Sequence, residues 1–432
     1  INTLVQSHDA LRMKFTKTGS FWSSEVVEVD GVTVETVALG AGTVESRREC
    51  IDRAAESLNS SIALGQAPLL RACHLTADAG EPDLLLLAIH HLVIDVESWR
   101  LLINQIDTLL ASHGDVQQPE PAKMRSSIAR WATMLETFAE SAELDADIKY
   151  WTAKLQGATT RVPADGDRST SPDLERDSVT SSYKLDAGRM AALETSAQAT
   201  LRASLYEVIV SAIARAIAGW TGSERVVFDT EGHGREPLAG GDAAATVGWL
   251  TSVYPLVFDA DATTWGDATA ALRHVKEQVR AIPKKGVTFG ILKHLVPPSE
   301  RTSDITGYDG ADILFNYLGD VSIEGSEAST LSLVDTRCGP SRSPDCERAF
   351  PVEINAYLSR GELNLDVSYS EAIFAADTID ALGQKLLLAM SDIVDAACSR
   401  DTNATVAADF PLAGLGAQEM DSVASQLAAL DD

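Results

Sequence analysis

A six-residue apolar run, 84–89, ends on His90-His91-Leu92-Val93-Ile94-Asp95, with Ser98-Trp99 close behind. A continuous run of that length reads as a strand buried on both faces, and so as part of a layered domain. Two adjacent histidines at the end of such a strand are costly to place for packing alone. Imidazole exchanges protons near neutral pH, and an Asp four residues on can fix the loop and orient the ring. His91 is the candidate for chemistry. Successive strand residues point to opposite faces, so His90 is expected to point away from the site. Asp95 is read as structural: a buried carboxylate needs a cation or hydrogen-bond donors, and Arg12 and Arg235 both qualify.

A second cluster, Glu231-Gly232-His233-Gly234-Arg235-Glu236, follows another apolar strand at 226–228. Glu231 enters a Gly-x-Gly stretch where backbone can approach a ligand closely. A carboxylate partly desolvated there has its pKa raised toward the range useful for acid and base work. The glycine spacing is not that of a phosphate-binding loop, and no Lys-Ser/Thr follows. The chain contains no Gly-x-Ser-x-Gly, His-Glu-x-x-His or dinucleotide fingerprint. Lys284 and Lys285 lack the surroundings of a Schiff-base site and read as solvated.

Composition removes further classes. The 35 basic and 63 acidic residues leave a net charge of −28, which opposes binding to nucleic acid or to an anionic membrane. No apolar run is long enough to span a bilayer and no signal peptide is visible, so a cytoplasmic protein is expected. Five cysteines, with no Cys-x-x-Cys among them, argue against structural zinc and a disulfide scaffold. Cys338 and Cys346 are close enough in sequence to pair, but free thiols are expected. The chain has 432 residues, 45% of them hydrophobic, enough for two or three domain-sized units with a substantial core. It opens on Ile1, and is therefore expected to be a piece of a larger chain.

Residues 26–34 alternate around Asp30-Gly31 and 351–369 around Ser359-Arg360-Gly361, predicting two hairpins. Helices are expected over 46–58, around Tyr150-Trp151 and over 205–220. Another should follow Ser98 as its cap, with Trp99, Leu102, Ile103, Ile106 and Leu110 on one face. A short strand at 313–315 ends in Asn316-Tyr317. The stretch 163–174, rich in Asp, Ser, Pro and Gly, reads as a link between two lobes. Mixed strands and helices with antiparallel hairpins give an α/β (mixed α+β) class.

These motifs, in this order, resemble the epimerization domains of nonribosomal peptide synthetases. Residues 90–99 match the His-His-x-x-x-Asp-x-x-Ser-Trp motif of that family, and 231–236 match its Glu-Gly-His-Gly-Arg-Glu without change. Thr246-Val247-Gly248-Trp249 is similar to its Thr-Val-Gly-Trp-Phe-Thr motif, with Leu250 in place of Phe. Residues 283–292 resemble its Pro-x-Lys-Gly-x-Gly-Tyr-Gly segment, 315–319 match Phe-Asn-Tyr-Leu-Gly, and 409–412 resemble its C-terminal end. The His-His-x-x-x-Asp pattern alone is shared with condensation domains and chloramphenicol acetyltransferase-like enzymes. The Asp-x-x-Ser-Trp continuation and the Glu-Gly-His-Gly-Arg-Glu motif are what favour epimerization. Val96 stands where Gly is common, Thr288 and Phe289 replace Gly-Tyr, and the family's first motif is missing.

The resemblance implies two chloramphenicol acetyltransferase-like lobes in a V-shaped pseudo-dimer, with the site in the tunnel between them. An N-terminal lobe would span 1–164, lacking its first segment, followed by a linker at 165–174 and a C-terminal lobe at 175–432. The substrate would be an aminoacyl or peptidyl thioester on the 4'-phosphopantetheine arm of a carrier domain, epimerized from L to D through an enolate. No metal or bound cofactor is implied. His91 and Glu231 would be catalytic. Asn316, Tyr317 and Arg235 would stabilise the oxyanion or position substrate, and His90, Asp95, Ser98, Trp99 and Trp249 would be structural. Implied partners are a peptidyl carrier domain and neighbouring domains of the same synthetase, the domain itself being monomeric. The alternatives are an amide-forming condensation domain and an inactive carrier-docking module.

Overall fold

A computed structural model describes the chain except residues 41, 79, 113–126, 169–171, 197–199, 239, 322–329, 333, 335–341, 400–404 and 410–432. Its contacts divide it into two compact units, neither of them continuous in sequence. The first comprises Ile1–Ser141, His233–Ser252 and Ile323–Ser343, and the second Ala142–Gly232, Val253–Ser322 and Pro344–Asp432.

In the first unit, α1 (Asn2–Ser7) leads into a hairpin of β1 (Met13–Thr18) and β2 (Phe21–Val26). A three-stranded sheet follows, ordered β3 (Val34–Ala38), β4 (Leu70–Thr76), β5 (Leu84–Ile89), with α2 (Val44–Ser60) packed on it. Then come α3 (Val96–Ala111) and α4 (Ile128–Ala139). Leu4, Leu11, Leu69, Val93, Ile94 and Leu102 form the core, and Val247 of the returning segment is buried among them.

Three expectations for this unit are corrected. The predicted 26–34 hairpin does not form, because β2 pairs with β1 while β3 pairs in parallel with β4. The segment between is drawn to α1: Asn2 Oδ1 accepts from Val32 N at 2.7 Å, and Gln6 Nε2 donates to Val29 O at 2.8 Å. Nor is β5 buried on both faces. It is an edge strand of its sheet, with Leu85 39% exposed, and the doubly buried strand is its neighbour β4. Finally, the cap of α3 is Asp95 rather than Ser98, its carboxylate accepting from Ser98 N at 2.8 Å.

The second unit is built on a six-stranded sheet. Its helices, in chain order, are α5 (Leu144–Leu155), α6 (Ala187–Ser196), α7 (Leu205–Thr221), α8 (Ala262–Gly266), α9 (Ala268–Arg280), α10 (Val287–His294), α11 (Ser303–Thr306) and α12 (Ala376–Cys398). The sheet order is β6 (Ser178–Leu185), β11 (Glu362–Ser370), β10 (Val352–Ser359), β9 (Ile313–Asp320), β7 (Arg225–Gly232), β8 (Ser252–Asp259). β9 runs parallel to β7 and β10, and β10–β11 and β11–β6 are antiparallel, so the class is mixed α/β. The 351–369 hairpin forms. Ser359 pairs with Glu362 across Arg360-Gly361, both with positive φ, as a two-residue primed turn requires.

α7 is buried along most of its length and opens with a capping box of Ser204 and Glu207. The described part of 163–174 is tied down. Arg168 pairs with buried Asp312 at 2.7 Å, and Gly166 N donates to Ile373 O at 2.9 Å. At the chain's far end, Lys276 of α9 holds Asp409 at 3.1 Å; the rest of the 409–412 motif, like Cys338, lies outside the described residues.

Candidate active site

In the first unit β5 delivers the histidines. The His90 backbone N–H donates to Leu69 O at 3.0 Å, extending the strand pairing by one step. The His90 ring turns back, its Nδ1 accepting from Leu92 N at 3.2 Å, and caps a single 3-10 turn over His91–Val93. Burial, and then the neighbouring His91, lower the pKa of His90. His91 is exposed, and its ring meets the half-exposed indole of Trp249 edge-on, with centroids 4.9 Å apart.

Behind them lies a buried polar lock. Arg235 grips Asp95 with both nitrogens, Nη1 to Oδ2 at 2.8 Å and Nη2 to Oδ1 at 2.9 Å. It also donates to the carbonyls of His233 and Thr246, each at 2.9 Å. Of the two arginines open to Asp95 on sequence grounds, Arg235 is therefore the partner; Arg12 instead lies 3.8 Å from Glu28. Burial alone would raise the Asp95 carboxyl. The Arg235 pairing, the Leu250 N–H at 3.0 Å and Ser98 outweigh it and hold the group below the usual carboxylate range.

Ser98 is the hub of this lock. Its hydroxyl accepts from Gly248 N at 3.0 Å and from Arg235 Nη2 at 3.0 Å. Its single proton has two acceptors in reach, Asp95 Oδ1 at 2.7 Å and Gly248 O at 2.9 Å. The backbone on both sides of Trp249 is thus clamped, at Gly248 by Ser98 and at Leu250 by Asp95. Gly234 completes the fit: it has φ +66°, and a Cβ there would lie 1.6 Å from Leu250 O. The three motifs around 95, 235 and 248 are one structural object.

In the second unit β7 carries Glu231 within the strand rather than in the loop after it. Residues two apart share a face. Thr230 points to α7, where its hydroxyl meets Tyr206 Oη at 3.2 Å, so Asp229 and Glu231 occupy the opposite face. β9 also continues past residue 315, through Asn316 and Tyr317. Asp229 registers with Leu314 and Thr230 with Phe315, so Glu231 and Asn316 are the next position on adjacent parallel strands and share one face. Tyr317 lies on the other, its ring 6.5 Å from that of Tyr206. The structure therefore puts Asn316 on the sheet face of Glu231 and Tyr317 on the opposite one.

Sequence reasoning passes over Asp229, although a carboxylate directly after Val226-Val227-Phe228 is a signal. It is buried, receives the Tyr308 hydroxyl at 2.7 Å and Ala311 N at 3.1 Å, and its pKa is raised chiefly by burial. Phe289 is a core residue here, its ring 5.0 Å from Trp151 and 5.7 Å from Tyr308. Trp249, expected to be only structural, has half its surface open beside His91.

Residues 1–410 match the condensation domain family model. Curated relatives include a linear gramicidin synthase of Brevibacillus parabrevis and surfactin synthase subunit 1 of Bacillus subtilis (strain 168). Each is 29% identical over 98% of this chain. The chain spans only 6% and 12% of their lengths, so both are far larger proteins. Among solved structures, the epimerization domain from the third module of tyrocidine synthetase B superposes with a TM-score of 0.82 at 27% identity. That match covers 91% of this chain and 86% of the other. The condensation domain of the enacyloxin polyketide synthase shares the fold at a TM-score of 0.68 and 20% identity, covering 92% and 74%. The chain belongs to the condensation domain family, a family of catalytic domains whose relatives here are peptide synthetases. Among the described residues no helix is long and apolar enough to cross a membrane.

Proposed function

We propose that this chain epimerizes the Cα of an aminoacyl or peptidyl thioester presented on a carrier domain's 4'-phosphopantetheine arm, converting L to D. The observation that carries the reading is the likeness to an epimerization domain over nine-tenths of the chain. The intact Glu-Gly-His-Gly-Arg-Glu segment adds to it. The carrier and neighbouring domains of the same cytoplasmic synthetase are its partners, and it acts as a monomer.

Inversion removes the Cα proton and returns it to the other face. The thioester carbonyl accepts the resulting charge well, so the chemistry asks for no metal or bound cofactor. Glu231 is assigned the general base for at least one enantiomer, and His91 the partner acid or enolate stabiliser; such groups each contribute on the order of 10²–10⁴ in rate. Asn316, on the Glu231 face, donates to the enolate oxygen or a substrate amide. Arg235 acts at a distance, by holding Asp95 and the backbone around Trp249. Tyr317 is given no role toward substrate, since it faces α7.

The test is incubation of L-aminoacyl-pantetheine thioesters in D₂O, with and without an acceptor aminoacyl thioester. Epimerization predicts deuterium at Cα and loss of enantiomeric purity without acceptor. Amide formation only when acceptor is added, with no exchange, would make the chain a condensation catalyst. Carrier binding with neither reaction would make it a docking module.

A further inference from the structure

The sheet of the second unit has two unlike faces. Tyr183, Leu365, Ala356 and Tyr317 lie level across four strands on the helix-covered face, where the Tyr183 hydroxyl donates to Ile379 O of α12 at 3.2 Å. One residue along each strand, the opposite face carries a polar row. Asn316 pairs in register with Asn355, Asn355 with Asp366, and Asp366 with Ser182. Glu231 is the next position on the neighbouring strand. The paired row therefore reads Asn316, Asn355, Asp366, Ser182, at a strand spacing of about 4.8 Å, and Glu231 extends it on the same face, one residue past the last β7–β9 pair.

The far end of this row is satisfied internally. Asp366 accepts from Ser182 Oγ at 2.6 Å and from the Tyr357 hydroxyl at 3.2 Å. The middle is not. Asn316 and Asn355 are half-buried, and among the described residues neither side-chain amide has a hydrogen-bond partner. Half-buried amides on rigid central strands, next to a candidate base, are pre-positioned for a ligand.

We infer that Asn355, with Asn316, is a binding site for the amide on the substrate's α-nitrogen, so that the preferred substrate is an N-acylated, peptidyl thioester rather than a free aminoacyl one. This rests on the epimerase reading and sharpens its substrate class. A primary amide offers one acceptor and two donors, the complement of a peptide unit's N–H and C=O. A free aminoacyl thioester carries an ammonium beside Cα, which calls for a carboxylate. The two positions next to Glu231 are neutral amides, and the first carboxylate beyond them, Asp366, is occupied. Glu353 shares the face but lies a row deeper, level with Leu314. Asn355 touches no motif singled out from the sequence, and only the register shows it.

The test compares N-acetyl-L-phenylalanyl and L-phenylalanyl thioesters of pantetheine, with wild type, Asn355→Ala and Asn355→Asp. Exchange of the Cα proton and binding of the non-reacting amide analogues are both read. Wild type is expected to favour the N-acetyl substrate by at least about tenfold in kcat/KM, one well-placed hydrogen-bond pair. Asn355→Ala should lose about that factor on the N-acetyl substrate with little change on the free amine. Asn355→Asp should reverse the preference. Equal handling of both substrates by wild type, or an equal loss on both in Asn355→Ala, overturns the inference. If no thioester exchanges, the epimerase reading fails by itself. Binding of the two analogues then still decides the inference: tighter binding of the N-acetyl analogue, lost in Asn355→Ala, supports amide recognition, and equal binding overturns it.

Discussion

Asp95 and Asp229 are both buried aspartates, 4% and 2% exposed, and their surroundings shift their pKa values in opposite directions. Asp95 faces a two-pronged arginine, and its charge is held on. Asp229 faces a tyrosine hydroxyl and one backbone N–H, and burial pushes its pKa up. Lys293, whose charge favours the ionised form, donates to the Tyr308 carbonyl at 2.6 Å rather than to the carboxylate. Removing water raises the cost of charge at both sites; at Asp95 the paired Arg235, with the Leu250 N–H and Ser98, outweighs that cost, and at Asp229 the two donors and the charge of Lys293 do not. The first site is an ionic lock for a motif loop. The second is a carboxyl two residues before the candidate base, on the same strand face, biased toward its neutral form.

Arg235→Met leaves Asp95 buried without its cation and should cost about 3–5 kcal/mol of unfolding free energy in urea melts. A loss under about 1 kcal/mol would mean the lock carries little.

Asp95 has a depressed folded pKa, so its contribution is present above the unfolded value of about 3.9 and is lost as pH falls through the folded value. The deficit of Asp95→Asn should therefore be largest near neutrality and shrink in acid. Asp229 has a raised folded pKa, so its contribution is full below the unfolded value and is lost as pH rises through the folded one. The deficit of Asp229→Asn should be about 1–3 kcal/mol at most and should grow as pH falls. Parallel slopes for the two variants would erase the distinction.

Ser98→Ala removes the acceptor used by Gly248 N–H and Arg235, for about 1–2 kcal/mol. Trp249→Ala should change stability least, since the indole is half-exposed. It should nonetheless lower kcat by about 10- to 100-fold, because His91 loses the ring that fixes it. Unchanged kcat would make Trp249 irrelevant to His91.

How much of this can be read in the sequence varies with the kind of feature. The strand delivering His90-His91 and the strand before Glu231 are legible from apolar runs, and the 359–361 turn from Arg-Gly. The lock is half-legible: Asp95 asks for a cation, but that Ser98 serves Gly248 rather than capping a helix depends on a contact 150 residues away. Stopping the strand at Phe315 puts Asn316 and Tyr317 in one loop; two more strand residues put them on opposite faces. The absent hairpin at 26–34 shows Asp-Gly outcompeted by an Asn2 contact that no local pattern announces. Asn355 is invisible, because the register between β9 and β10 is a tertiary fact.

The proposed epimerization turns on Glu231 and His91 moving a proton at Cα. The most direct measurement is initial-rate deuterium wash-in from D₂O, begun separately from the L and the D thioester, with wild type, Glu231→Gln and His91→Ala. Exchange from both enantiomers is expected in wild type, with near-complete loss from at least one in Glu231→Gln and a fall of about 10²-fold or more in His91→Ala. Exchange undiminished in Glu231→Gln, or no exchange from either enantiomer in wild type with carrier binding intact, would contradict it.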